Sequence, residues 1–169
     1  MEQKTYLPRR EIERIVETHS DMLLRIAINR VRSRTEAEDI VQAVYLRLMT
    51  HQPRLQSPEH ERAWLIRTAI NLCLDYDKSA SRRTSVPLDD DIAAAQPEEN
   101  ADVLEVVWKL PERDRYIIYL YYFEEFSVKE IASLLDEQTG TITSRLSRAR
   151  NKLKLLLKGD GYGTVSKHV

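Results

Sequence analysis

A single cysteine, Cys73, occurs in 169 residues, so the chain cannot close a disulfide on itself. The four histidines (His19, His51, His60 and His168) are scattered rather than set at metal-ligating spacings, and no metal or other cofactor is expected. Glycine is equally scarce: of four, three lie in 159–163, leaving Gly140 alone in the first 158 residues. A phosphate-cradling reading of that late cluster needs a strand before it and a helix after it, and only Thr164 to Val169 follow, so 159–169 reads as a flexible tail. No apolar run approaches the ~20 residues that span a bilayer. Residues 1–10 are polar where a signal peptide would be apolar, so membrane insertion is not expected and a cytoplasmic location is. What remains is 42% apolar and 31% charged, with a mean hydropathy of −0.49. That composition supports a core under a heavily charged surface, in one ordinary domain or two small ones.

A net charge of −1 conceals an uneven distribution. Residues 1–83 carry 15 bases against 12 acids, 84–108 carry seven acids and no base, and 138–158 carry six bases and no acid. An acidic stretch thus parts two segments able to meet a polyanion.

Sparse turn chemistry and apolar residues at three-and-four spacing predict an all-α chain of two small helical domains. A first helix starts near Pro8 with Ile12, Ile15, Val16, Leu23, Ile26 and Ala27 on one stripe, and Ser20 is a point where it could break. A second opens at Thr35, with Thr35 and Glu38 as a capping box and Ala37, Ile40, Val41, Val44 and Leu48 inward, until Pro53. The segment from His51 to His60 reads as a loop. A third helix turns Ala63, Ile66, Ile70, Cys73 and Leu74 inward and runs toward Arg82 and Arg83, so that 8–83 closes as a bundle. Residues 84–101 have linker composition.

In 102–158, Pro111 marks a helix start, and Ser127 with Glu130 forms a second capping box over a short helix ending at Leu135. Asp136, Glu137 and Gln138 then make a polar turn before a last helix from Thr139. This is the order of a helix-turn-helix, whose second helix enters the major groove. On that helix Ile142, Leu146, Ala149 and Leu153 share one stripe. Ser144, Ser147, Arg148 and Asn151 face away, flanked by Thr143, Arg145 and Lys152. Arginine pairs bidentately with guanine, hydroxyls suit base edges or phosphate, and lysine suits phosphate.

Leu110-Pro111-Glu112-Arg113, the run from Tyr122 to Ser127, Glu130-Ile131-Ala132, and the run from Gly140 to Arg150 together resemble region four of bacterial extracytoplasmic-function (ECF) sigma factors of the sigma-70 family. The run from Glu36 to Gln42 with Tyr45 to Leu48, and Arg62-Ala63-Trp64-Leu65-Ile66-Arg67 with Ala69, Asn71 and Asp75, is similar to that family's region two. The resemblance implies an ECF-type sigma factor that binds RNA polymerase core and directs promoter-specific transcription initiation. By the same resemblance Asp39, Gln42 and Arg47 dock on core. Trp64, Arg67, Asn71, Lys78, Arg82 and Arg83 meet the minus-ten region of promoter DNA, and Thr143, Ser144, Arg145, Ser147, Arg148, Asn151 and Lys152 meet the minus-thirty-five element. An anti-sigma factor is a further partner that it allows, and the free chain is expected to be monomeric. The sequence departs from the family at Ala43 (usually an acid), Asp77, Asp136 (usually glycine), Glu137 (usually apolar), Gln138 (usually serine) and Thr143 (often basic).

Two other readings stand beside it: a helix-turn-helix regulator acting on DNA without polymerase, and a sigma-like adaptor that binds a protein partner. Catalysis is not expected, since no nucleophile with its base, metal cluster or phosphate loop is present.

Overall fold

The computed structural model describes residues 6–31, 33–80 and 101–159, without the side chains of 77–80 and 101–104. All regular structure among them is helical. One unit holds α1 (Arg9–Val31), α2 (Arg34–His51) and α3 (Pro58–Ala80); the other holds α4 (Ala101–Trp108), α5 (Glu112–Tyr122), α6 (Val128–Leu135) and α7 (Thr139–Gly159). Arg82, Arg83 and nearly all of the expected acidic linker lie outside the described residues, as does the tail beyond Gly159. Ala101, read as linker, already belongs to α4.

In the first unit Ile15, Leu23 and Ile26 of α1, Val44 and Leu48 of α2, and Leu65, Ile66 and Cys73 of α3 have no exposed surface. Burying each large aliphatic side chain contributes about 1.5–3 kcal/mol, which is what holds three helices of mixed composition together. α1 does not break at Ser20. Its hydroxyl donates to the Val16 carbonyl at 2.6 Å and meets the Tyr45 hydroxyl of α2 at 2.8 Å, so the polar group is satisfied with the helix intact.

α2 begins earlier than Thr35. Ser33 is its N-cap, with extended backbone and a hydroxyl that accepts from the Glu36 N–H at 3.4 Å, while Glu38 pairs with Arg34 at 2.9 Å instead of capping. The helix ends on Gln52, in the left-handed region at φ 47°, whose N–H reaches the Leu48 carbonyl and whose side-chain oxygen accepts from the Leu7 N–H at 2.6 Å. The loop then closes sooner than expected, because Ser57 accepts from the His60 N–H at 3.1 Å and Pro58 opens α3. Along α3 the inward stripe includes Leu65 but not Leu74, which is 42% exposed.

A charged cluster lies under this bundle. Glu61 in the first turn of α3 is buried, accepting from Arg14 Nη1 at 3.2 Å and meeting His19 Nε2, also buried, at 2.8 Å. Burial pushes the Glu61 carboxyl up, but the hydrogen bonds from Arg14 and His19 outweigh it and hold the group below its ordinary value.

In the second unit Val106, Val107, Ile117, Ile118, Leu120, Ile131, Ile142, Leu146, Ala149 and Leu153 are buried. Glu124, also buried, accepts from the Tyr119 hydroxyl at 2.8 Å where α5 turns toward α6.

Candidate nucleic-acid interface

α6 opens with both halves of its capping box: the Ser127 hydroxyl accepts from the Glu130 N–H at 3.2 Å, and the Glu130 carboxylate from the Ser127 N–H at 2.8 Å. It closes on Asp136 at φ 54°, in the left-handed region that glycine adopts most cheaply and aspartate tolerates. The Glu137 N–H returns to the Ala132 carbonyl at 2.9 Å, and that of Asp136 to Ser133 at 3.4 Å, the bond pair of a Schellman turn. Gln138 then offers its carbonyl to the Thr141 and Ile142 N–H groups at 3.0 and 3.2 Å, which starts α7. Helix, three-residue turn and helix stand where the sequence put them.

The four apolar residues of the α7 stripe are buried, and Thr143, Ser144, Ser147, Arg148, Asn151 and Lys152 are exposed. The Thr143 hydroxyl donates to the Thr139 carbonyl at 2.9 Å. Arg145 is half-buried, its Nη1 donating to Glu137 Oε1 at 2.7 Å. Beside this face an open groove of about 620 Å³ runs to the start of α5, bordered by Pro111 and Arg113 on one side and Arg148, Lys152 and Leu155 on the other.

In the first unit α3 brings Trp64, Arg67 and Asn71 to one side at intervals of three and four residues. Arg67 and Asn71 are exposed and Trp64 is half-buried. Leu74 continues this row. Lys78 lies in α3, but its side chain is outside the description.

On α2, Asp39 and Gln42 are exposed, while Arg47 stands at the edge of the face, 3.9 Å from Asp75 of α3. The same exposed row holds Leu46 and Met49, 59% and 44% exposed, which the sequence reading left out. Their signal was present in the sequence: both fall off the inward stripe of α2, at four and seven residues from Gln42.

Two family models match the chain, sigma-70 region 2 over residues 15–83 and sigma-70 region 4 over 101–153. RNA polymerase sigma factor SigV of Bacillus subtilis is 26% identical over 144 residues, covering 82% of this chain and 86% of the relative. ECF RNA polymerase sigma factor SigW of the same organism is 26% identical over 165 residues, covering 85% and 87%. Among solved structures, CnrH in complex with the cytosolic domain of CnrY shares the fold at a TM-score of 0.67 and 24% identity, over 90% of this chain and 91% of that one. Regions 2 and 4 occur here in family order on the two helical units, and the chain belongs to the sigma-70 family as an ECF-type RNA polymerase sigma factor that directs transcription initiation.

Proposed function

We propose that the two units divide promoter recognition between them, with a role that is regulatory rather than catalytic and located in the cytoplasm. α2 docks on RNA polymerase core, α3 meets the opened minus-ten strand, and α7 reads the minus-thirty-five element. The observation that carries this reading is the outward face of α7, where hydroxyls, an amide and two cations stand exposed over a fully apolar inner stripe. Ser144, Ser147, Arg148 and Asn151 face the bases, with Thr143 and Lys152 beside the backbone. Arg145 belongs to the same surface but enters it already paired with Glu137. Run-off transcription with purified core, on promoters enriched from a randomised pool, tests it. Initiation at defined sites supports the reading, and DNA binding without initiation would transfer the protein to the stand-alone regulators.

Docking through α2 draws on exposed apolar side chains in line with polar ones, the pattern by which one helix packs on another. The double variant Asp39→Lys with Gln42→Ala is expected to weaken core binding by about 1–2 kcal/mol, roughly 5- to 30-fold in Kd, with far-UV helicity unchanged. Wild-type affinity would remove this surface from the complex. On α3, an exposed amide is suited to hydrogen-bond an unpaired base and a half-buried indole to stack on one. Asn71→Ala should lower permanganate reactivity of the opened promoter by roughly fivefold while sparing the closed complex. Equal loss of both would indicate a docking defect instead.

Solved structures of the same fold hold CnrH with the cytosolic domain of CnrY, and the sigma factor RpoE of Bartonella quintana with the anti-sigma factor NepR. In this reading the free chain is a monomer, and core or an anti-sigma factor covers its docking surfaces on binding.

A further inference from the structure

We propose that Glu137 and Arg145 form a clamp across the helix-turn-helix turn, making Arg145 a positioning residue that sets α7 against α6 and is withheld from the DNA backbone. The proposal rests on the reading that α7 meets DNA and assigns one of its cations a different task.

Glu137 is joined to both helices. Its N–H completes the end of α6 at the Ala132 carbonyl, 2.9 Å away, and its carboxylate accepts from Arg145, on the second turn of α7, at 2.7 Å. The residue before it, Asp136, holds a left-handed conformation, so Glu137 stands directly after the point where the chain turns from α6 toward α7. The side chains of Arg145 and Glu137 are 19% and 26% exposed, whereas Ser144, Ser147 and Arg148 on either side of Arg145 are open to solvent. A hydrogen bond between two ionised groups is stronger than one between neutral groups, and partial shelter from solvent reduces its screening by salt. At about 100° per residue Arg145 falls between the buried stripe and the outward face, so it borders the groove beside α7 with Arg148 and Lys152 while its guanidinium is held by Glu137.

The charge count then changes. A cation that meets phosphate releases counterions, and each such contact steepens the dependence of log K on log salt by about 0.9. Arg145, neutralised by a carboxylate of its own chain, adds nothing to that slope, and Glu137 keeps it so.

The test uses the full chain bound to core polymerase, and a duplex enriched from a randomised pool by the wild-type holoenzyme, with affinity measured across a salt series. Glu137→Gln is expected to free Arg145 and steepen the slope by about 0.9. Arg145→Gln should leave the slope at its wild-type value, and so should the double variant, because the steepening needs the freed arginine. Melting of the free chain should show both single variants lower by about 4 °C, with the double variant short of their sum. Loss of slope in Arg145→Gln equal to that in Lys152→Ala would overturn the proposal, since Arg145 would then be a phosphate contact. An unchanged slope in Glu137→Gln would overturn it too. A flat response to Lys152→Ala and Arg148→Ala as well would remove α7 from the interface, and the proposal would fall with the reading beneath it.

Discussion

Glu61→Ala is expected to lower the stability of the first unit by about 2–3 kcal/mol, which for a unit of this size displaces its melting by roughly 10–20 °C. The carboxylate is buried and joins α3 to α1 through both Arg14 and His19. Removing it leaves the buried His19 ring without that partner. The cost falls at or just below the about 3–5 kcal/mol of a fully buried broken pair because Arg14 is half open to water and also bonds to Glu11. Since the folded protein holds the Glu61 carboxyl below its ordinary value, the contribution is fully present at neutral pH and is lost as pH falls through the folded-state value. Wild type and variant should therefore differ most near neutrality and converge in acid. Trp64 lies in α3 and Trp108 in α4, so a Trp108→Phe background makes indole fluorescence report on the first unit alone. A variant that melts with the wild type at neutral pH would show that the cluster holds nothing together.

The second large effect belongs to Arg148→Ala. Arg148 is exposed in mid-helix beside Ser147 and Asn151, on the side of α7 opposite its buried stripe, and a guanidinium there can pair bidentately with a guanine edge. Its loss should cost about 1–3 kcal/mol on the native element, roughly 5- to 150-fold in affinity, and much less on an element changed at the one base pair it reads. Lys152→Ala should instead weaken all sequences alike and flatten the salt dependence by about 0.9. Binding of the holoenzyme to the native element and to each single-base variant, over a salt series, separates the two. If Arg148→Ala keeps full discrimination, the side chain is not the reader.

The second unit was the more legible in the sequence because its signals are local. The capping box from Ser127 to Glu130, the polar turn and the stripe from Ile142 to Leu153 all lie within a few residues of what they specify. The start of α2 was misplaced because two overlapping patterns compete, Ser33 with Glu36 and Thr35 with Glu38, and only the fold shows that the first is used. Ser20 looked like a break because a mid-helix serine competes for backbone bonds, and its tie to Tyr45 crosses 25 residues. Leu74 was read as inward on spacing from Ile70, a position that Cys73 fills. Glu61 reads in sequence as an acid suited to a helix start, since its partners are 42 and 47 residues away. The bond from Glu137 to Arg145 spans eight residues across a turn, a separation that no helical periodicity flags.

The uncovered row of Leu46 and Met49 ties the chain's endurance to its company. A ligand that binds only the folded form adds RT ln(1 + [L]/Kd) to stability, about 2.7 kcal/mol at a hundredfold excess over Kd. Whatever covers α2 therefore also deepens the folded state of the first unit. Molecules left over when such partners run short carry both the thinner margin and the exposed apolar strip, so their surplus is the fraction most open to proteolysis and clumping.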